Sequence, residues 1–437
     1  MESPSETADD RNQVIPRDEH NISRANISKS ALKVLFRLKD GGYQAYLVGG
    51  SVRDLLLDGH PKDFDIATDA TPEQVRALFN NSRMIGRRFR LVHVRFGREI
   101  IEVATFRAPA NHDNDDHEIA EGSGRVLRDN VWGTFEDDVW RRDFTCNALY
   151  YDIRDYSVRD HVGGVEDIRN RQLRLIGDPE QRYREDPVRM LRAVRFAAKL
   201  RFEVEPGTAE PIGRLAELLD NIPAARLFDE FGKLFQAGHA LNTWRALRYF
   251  GLLPHLLPFT AEWLGDDVDG PRTGFIEAAL RNTDKRVADD QPVTPMFLLA
   301  VFLWGPVRER ADYFKEHEEM SEVQSLVAAG AELSAAQNAR IAVPKRFSYP
   351  MREIMQMQPR FERRRGKRAH SLLEHRRFRA AYDLFLLRVH LGEVEQEAAD
   401  WWTKVQELPE NKKKLEFAAD KDRAKPRRRH RRPRKGT

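Results

Sequence analysis

The sequence predicts an α+β protein in which a small mixed sheet with helices comes first and an all-helical region follows. Short strand-like runs alternate with helical runs until the strands give out after QLRLIG, and from there apolar residues recur at helical spacing to about residue 407. The chain of 437 residues, 41% of them hydrophobic, is long enough for two or three domains with a substantial buried core.

The first predicted elements are a helix, a strand and a second helix. SKSALKVLFRLKDGG carries leucines and Phe36 at helical spacing and ends in two glycines, which predicts the first helix and its stop. YQAYLV then predicts a buried strand that ends at Gly49 and Gly50, and VRDLLL a short helix.

The next segment, DFDIAT, alternates polar and apolar residues. Its period of two places Asp63 and Asp65 on one face of a strand and Phe64 with Ile66 on the other.

A helix and a hairpin complete the predicted head. TPEQVRALF predicts a helix with Thr71 as its N-cap, because Pro and Gln follow at the positions that a capping box favours. LVHVRFGREIIEVATFR predicts a hairpin that turns at Gly97 and Arg98.

The remaining segments give the domain organisation. Residues 1–27 lack apolar periodicity and are predicted to be disordered, 28–155 to form the head, 156–260 a helical neck, 261–415 a helical RNA-binding region and 416–437 a disordered Arg-rich tail. The polar, acidic run from 108 to about 130 predicts a mobile insertion.

The positive charge is concentrated in two blocks near the end of the chain. Residues 421–437 contain ten Lys and Arg against one Asp, and residues 359–379 contain nine against two Glu, although the whole chain carries only +4. One such block is typical of a solvated face, but two blocks on an acidic body favour nucleic acid as a partner.

The composition also limits the compartment and the chemistry. There is no apolar run of membrane-spanning length, and the N-terminus is acidic where a secretory signal needs basic and then apolar residues. The single cysteine, Cys146, excludes an internal disulfide and a cysteine-based zinc cage. A cytoplasmic protein without membrane contact is expected.

The aspartate pair alone is a weak signal, because an Asp-x-Asp on an exposed strand face is common in a chain with 69 acidic residues. Its neighbours strengthen the signal. Gly49 and Gly50 let the backbone approach phosphate oxygens, Ser51 adds a hydroxyl and Arg53 a cation. Carboxylate oxygens beside a phosphate cradle are what magnesium-assisted chemistry on a nucleoside triphosphate requires.

The string GGSVRDLLLDGHPKDFDIAT resembles the head motif of the class II nucleotidyltransferases, which comprise tRNA CCA-adding enzymes and bacterial poly(A) polymerases. Four further matches follow in family order: EVATFR, RRDFTCNALYY, DHVGGVEDI and RYREDPVRMLRAVRFAAKL. The resemblance implies a nucleotidyltransferase head, ATP as substrate and two Mg²⁺ ions.

The resemblance also assigns roles. Asp63 and Asp65 would bind the two Mg²⁺ ions, and Asp143 would be a third catalytic carboxylate, with Glu102 as its rival; the spacing leaves this choice open. The implied ATP-binding residues are Gly49, Gly50, Ser51, Arg53, Arg142, Asp186, Arg189 and Arg192. Of these, Asp186, as the N-cap of a helix with Pro187 in its first position, and Arg189 would read adenine; the alternative is an ion pair at a helix start.

Three features favour a poly(A) polymerase over a CCA-adding enzyme. The connection before RRDFT is long, the C-terminal region is arginine-rich as in the poly(A) polymerases, and no His-Asp phosphohydrolase-type cluster follows the head. The expected reaction is therefore template-independent addition of AMP from ATP to RNA 3′ ends. Its expected role is in RNA decay, with RNA-decay proteins as partners. The alternative is CCA addition to tRNA.

The RNA would be held by the two basic blocks through its phosphates, which predicts salt-sensitive binding with little dependence on base sequence. The residues expected to contact it are Arg363, Arg364, Arg365, Lys367, Arg368, Arg427, Arg428, Arg429, Arg431 and Arg432.

Overall fold

The structure is a computed structural model that describes residues 13–86, 90–108, 119–120, 125–126 and 131–417. The chain divides into two compact units. The first comprises Met1–Pro223, Lys233–Phe235 and Asn242–Leu256, and the second Ala224–Gly232, Gln236–Leu241 and Leu257–Thr437. Among the residues described, every helix is too short or too polar to cross a lipid bilayer.

The strands of the described residues all lie in the first unit. They are β1 (Gln13–Ile15), β2 (Ala45–Val48), β3 (Asp65–Thr68), β4 (Ser82–Ile85), β5 (Leu91–Phe96), β6 (Glu99–Thr105), β7 (Ile119–Ala120), β8 (Arg125–Val126), β9 (Leu149–Asp152), β10 (Val158–Asp160), β11 (Gln172–Leu173) and β12 (Glu203–Val204). In the described residues the main sheet has eight strands in the order β1-β10-β9-β2-β3-β6-β5-β4. All neighbours in it are antiparallel except β3 and β6, so the sheet is mixed, as the sequence predicts.

The helices of the first unit precede or follow these strands. They are α1 (Lys29–Asp40), α2 (Gly50–Leu56), α3 (Pro72–Leu78), α4 (Phe135–Trp140), α5 (Gly164–Arg169), α6 (Pro179–Glu185), α7 (Val188–Leu200), α8 (Pro206–Leu215), α9 (Ala224–Phe235, shared with the second unit), α10 (Ala240–Tyr249, also shared) and α11 (Leu253–Leu256). Thr71 caps α3 in the predicted capping box with Gln74. The hairpin of β5 and β6 turns where predicted, since Phe96 pairs with Glu99.

The second unit is helical in the part of the chain that the structure describes. Its remaining helices are α12 (Pro258–Leu264), α13 (Pro271–Ala288), α14 (Pro295–His317), α15 (Glu322–Arg340), α16 (Lys345–Gln356), α17 (Lys367–Leu373), α18 (Phe378–Leu387), α19 (Gln396–Glu407) and α20 (Glu410–Glu416). The central helix is α14, whose residues from Leu298 to Val307 are all buried. Gly305 is required there, because a Cβ atom would lie 2.0 Å from the Trp263 ring.

Three predictions about segment boundaries need correction. Ordered structure begins before residue 28, because β1 pairs with β10, and the pairing of β9 with β10 carries the head sheet beyond residue 155. Strands do not end after QLRLIG, since β12 pairs with β11 in parallel. The predicted disorder of residues 1–12 and 418–437 and most of the predicted insertion lie outside the described residues.

Candidate active site

The turn between β2 and α2 contains the two glycines of the sequence motif. Gly49 has a φ of +72°, a left-handed conformation that favours glycine. A Cβ atom on Gly49 would lie 3.5 Å from Nη1 of Arg142. The turn therefore brings the backbone close to the Arg142 guanidinium, and its left-handed conformation is what disfavours a side chain at Gly49.

The aspartates lie at the start of the neighbouring strand. Asp65 is the first residue of β3 and Asp63 precedes it by two, and both side chains are exposed. Phe64 and Ile66 are buried beneath them. This confirms the predicted alternation of faces.

Glu102 shares the sheet face with Asp65. The two residues are register partners in the parallel pair of β3 and β6, and Nε2 of His93 on β5 lies 3.1 Å from Oε1 of Glu102. Although the Asp65 side chain reaches solvent, its partly desolvated position, with repulsion from Glu102 and then Asp63, raises its pKa to about 6, against an opposing effect of Arg142. Burial and the neighbouring carboxylates thus both oppose ionisation of Asp65 in the protein alone.

Asp143, the other carboxylate considered, has a different environment. Its Oδ2 accepts hydrogen bonds from Nε and Nη2 of Arg192, and its Oδ1 accepts from the Phe144 N–H at 2.8 Å and from Nδ2 of Asn147 at 3.3 Å. Burial opposes ionisation, but Arg192 and these hydrogen bonds hold the pKa of Asp143 at about 2. Its two oxygens are therefore already occupied, whereas Glu102 lies beside Asp65.

Arg142 is fixed by a buried carboxylate that the sequence analysis did not single out. Asp138 is 1% exposed and accepts hydrogen bonds from Nη2 of Arg142 at 2.9 Å, from Nη2 of Arg141 at 2.6 Å and from the Tyr150 hydroxyl at 2.8 Å. Burial opposes ionisation of Asp138, but the two guanidinium groups hold its pKa far below its usual range. Asp138 therefore positions Arg142 beside the glycine turn.

The other two polar residues of the glycine motif are buried. Arg53 is 2% exposed, donates to Oδ1 of Asn147 at 2.5 Å and pairs with Asp54 at 2.6 Å. The Ser51 hydroxyl donates to the Val48 carbonyl at 3.0 Å. Both residues line the cavity, and each already donates hydrogen bonds within the protein.

Helix α7 forms another wall. Arg192, Phe196 and Lys199 lie on it at helical spacing and line the cavity. The guanidinium groups of Arg192 and Arg53 lie 5.4 Å and 5.7 Å from the centre of the Phe196 ring. Lys199 lies one helical turn beyond Arg195, and burial lowers its pKa despite the attraction of Asp54.

The predicted adenine-reading pair needs one correction. Pro187, and not Asp186, is the N-cap of α7, and the helix begins at Val188. Asp186 Oδ1 accepts from the Val188 N–H at 3.3 Å, while Nη1 of Arg189 donates to Glu185 at 3.0 Å and to the Arg182 carbonyl at 2.7 Å. The N-cap lies one residue later than predicted because Asp186 is the C-cap of the preceding helix, α6.

The cavity has a volume of about 600 Å³, within the range of small-molecule sites. It unites most of the residues expected at the site, namely Gly49, Gly50, Ser51, Arg53, Asp63, Asp65, Arg142, Asp143 and Arg192. Asp186 and Arg189 do not line it. Lining residues that the sequence analysis missed include Lys62, Asn147, Phe196 and Lys199.

The predicted RNA-binding residues fall into two groups. Arg363, Arg365, Lys367 and Arg368 are exposed in the second unit, and Arg364 pairs with Glu397 at 2.9 Å. Arg427, Arg428, Arg429, Arg431 and Arg432 lie outside the described residues.

Three family models match the chain in order. Residues 45–174 match the Poly A polymerase head domain, residues 201–264 the probable RNA and SrmB-binding site of polymerase A, and residues 318–436 the polymerase A arginine-rich C-terminus.

Similar proteins include both kinds of enzyme that the sequence motifs suggested. Poly(A) polymerase I of Escherichia coli O6:H1 is 49% identical, over 99% of this chain and 95% of that protein. The CCA-adding enzyme of Lactobacillus helveticus is 42% identical, but over 48% of this chain and 50% of that protein. The crystal structure of the Bacillus stearothermophilus CCA-adding enzyme in complex with CTP is 28% identical, with a TM-score of 0.56 over 86% of this chain and 80% of that one.

A fold shared with CCA-adding enzymes, with two aspartates on the sheet beside an arginine-rimmed cavity, defines the chain as a nucleotidyltransferase. The likeness to the CCA-adding enzyme by sequence covers about half of the chain, whereas the likeness to poly(A) polymerase I extends over nearly all of it. The chain belongs to the poly(A) polymerase family.

Proposed function

We propose that this chain adds AMP from ATP to RNA 3′-hydroxyl ends without a template, releasing pyrophosphate, and that the poly(A) tails serve RNA decay in the cytoplasm. The full-length likeness to poly(A) polymerase I supports the reaction. The observation that carries it is the placement of Asp63 and Asp65 beside the glycine turn, in a cavity with Arg142, Arg192 and Lys199. The carboxylates that could bind a metal and the cations that could bind a triphosphate therefore line the same cavity.

Two Mg²⁺ ions are the proposed cofactors, and the residues present fit them. In the described part of the chain no group of three or more His, Cys, Asp or Glu side chains could hold a metal ion alone. Mg²⁺ commonly takes one or two carboxylates and completes its coordination with substrate phosphates and water. Asp63 and Asp65 both line the cavity, and carboxylate oxygens are ligands that Mg²⁺ accepts. Bound Mg²⁺ would supply charge neutralisation on the phosphates and activation of the 3′-hydroxyl.

The carboxylates and cations have separate roles in this proposal. Asp63 and Asp65 are the metal ligands, and Glu102 supports them as the third carboxylate on the same face. Asp143 is proposed as a positioning residue, because it holds Arg192 at the cavity wall. Arg142, Arg192 and Lys199 bind the triphosphate, which orients the α-phosphate towards the RNA end.

Adenine recognition is assigned to Asp186 and Arg189 on the resemblance to the family. Nη1 of Arg189 pairs with Glu185, so the base contact is assigned to the other nitrogens of the guanidinium group. The exposed arginines of residues 363–368 and the basic tail are proposed to hold the RNA strand through its phosphates. RNA-decay proteins are the proposed protein partners. The division into a head, a neck and an RNA-binding region is likewise part of the proposal.

A product-length assay tests the function directly. The protein is incubated with Mg²⁺ and either ATP alone or ATP with CTP, on a generic RNA and on tRNA lacking its CCA end. We expect long A tracts on both RNAs with ATP alone. A product that ends after C-C-A on tRNA, with no extension of the generic RNA, would instead identify a CCA-adding enzyme.

Deletion of residues 421–437 should weaken RNA binding without changing nucleotide choice. The segment carries ten Lys and Arg against one Asp, and each phosphate contact contributes about 0.7 to the slope of log affinity against log salt for a single strand. We expect at least about tenfold weaker binding near 0.1 M salt and a flatter slope. Fluorescence anisotropy with labelled RNA over a salt series measures both. Deletion of the acidic residues 1–12 is the control, and an unchanged slope in the tail deletion would assign the RNA contacts elsewhere.

A further inference from the structure

The second unit contains a cavity of about 610 Å³ that the proposed active site does not use. It is bounded by the C-terminal turns of α13, by the start of α14 with the residues just before it, and by α18 with the two arginines that precede it. Its volume is within the range of pockets that hold a small ligand such as a nucleotide.

Cationic side chains dominate the polar lining of this cavity. Five of them, opposed by the carboxylates of Asp289 and Asp383, line it: Lys285, Arg286, Arg376, Arg377 and Arg379.

The neighbouring carboxylates leave part of this charge uncompensated. Glu353 is shared, because it pairs with Arg376 at 2.8 Å and with Arg377 at 3.4 Å. Asp383 pairs with Arg379 at 3.1 Å and also interacts electrostatically with Arg286. Glu353 and Asp383 thus each face two guanidinium groups. The five cations of the lining outnumber these two carboxylates and Asp289, and the excess positive charge favours an anionic ligand.

An apolar wall lies next to these cations. Val293, Met296 and Phe297 line the cavity and are each only partly buried. An aromatic face that remains accessible can stack with a nucleic acid base, and such stacking tolerates any base. Arginines beside an aromatic ring are the combination that proteins use to hold single-stranded RNA, through phosphate and base together.

We propose that this cavity binds one nucleotide of the RNA strand, with its phosphate at Arg286 and Arg379 and its base against Phe297. The inference rests on the proposed function, because it places part of the RNA substrate of that reaction. It assigns to the second unit a pocket that contacts a base, in addition to the charged surface of residues 359–379.

The charge part of the proposal is tested with the double variant Arg286→Gln and Arg379→Gln in the full chain. Loss of two phosphate contacts should weaken the binding of a labelled 20-nucleotide RNA about tenfold at 0.1 M salt and lower the salt slope by about 1 to 1.5. Arg281→Gln is the matched control, because Arg281 on α13 is 58% exposed and forms an i,i+4 pair with Glu277, as Arg379, 71% exposed, does with Asp383. We expect the control to bind like the unchanged protein.

The stacking part is tested with Phe297→Leu, which keeps an apolar side chain of similar size. Affinity for RNA should fall about fivefold or more while the salt slope stays the same, since stacking and not charge is lost. The two variants therefore separate the base contact from the phosphate contacts by the same binding assay.

Unchanged RNA affinity and slope in the double variant would overturn the proposal, and would leave a protein partner as the alternative occupant of the cavity. Binding of free AMP to the cavity, with RNA binding unaffected by both substitutions, would overturn it in favour of a free nucleotide.

AMP incorporation by the unchanged protein is measured in the same preparations. Its absence would count against the proposed function, whereas normal incorporation with unaltered RNA binding in the variants would count against this pocket alone.

Discussion

Asp63→Ala and Asp65→Ala will each abolish AMP incorporation while RNA binding stays close to that of the unchanged protein. Either substitution removes an oxygen donor from the proposed metal site and leaves the buried Phe64 and Ile66 in place. Metal-ion catalysis contributes several kcal/mol, so loss of about 4 kcal/mol lowers the rate about a thousandfold. Extension of a labelled RNA primer over time measures the rate, and anisotropy measures the binding.

Asp40→Asn is the matched control for this pair of variants. Asp40 is an exposed carboxylate at the end of α1 in the same unit, away from the cavity lining. Its variant should extend RNA at the normal rate. Normal extension by Asp63→Ala or by Asp65→Ala would refute the metal assignment for that residue.

Asp138→Ala should lower the free energy of unfolding of the first unit by about 3 to 5 kcal/mol. Asp138 is 1% exposed, and its removal leaves the guanidinium groups of Arg141 and Arg142 and the Tyr150 hydroxyl without their shared acceptor. Breaking a buried ion pair on one side costs this much because the remaining charge stays desolvated. Urea denaturation of the full chain, with a probe in the first unit, measures the change.

The same variant predicts a dependence on pH. The folded protein holds the pKa of Asp138 far below the value near 4 of an unfolded chain. The contribution of this carboxylate to stability is therefore complete above about pH 4 and is lost as the pH falls below it. The difference between the unchanged protein and Asp138→Ala should shrink accordingly. Glu166→Ala is the control, because it removes an exposed partner of Arg169 and should lower the free energy of unfolding by less than about 1 kcal/mol. A similarly small decrease for Asp138→Ala would contradict the prediction.

Local patterns explain why much of the head could be predicted from sequence. The alternation at residues 63–66, the capping box at Thr71 and the hairpin at Gly97 depend on residues two to four positions apart. Such spacing determines which side chains share a face, and it placed both aspartates on the side opposite the core. The role of each side chain in the site remains a prediction.

Contacts between distant parts of the chain explain most of what could not be predicted. Arg53 is held by Asn147, 94 residues away, and Asp143 by Arg192, 49 residues away, so no local pattern shows that their polar groups are already paired. Asp138 is one of three consecutive acidic residues, and only the packing of α4 shows that it is the buried one. For Lys199 a signal was available, because it continues the helical spacing of Arg192 and Arg195.

The short strand β1 has a consequence for how the head behaves among other copies of itself. Its three residues pair with β10, from Gln13 opposite Asp160 to Ile15 opposite Val158, and so cover one margin of the main sheet. An uncovered margin exposes a row of unpaired N–H and C=O groups, which can add a strand from another molecule. Because β1 is itself the outermost strand, this margin presents unpaired groups over only three residues, and so short an edge limits the addition of a strand from another molecule.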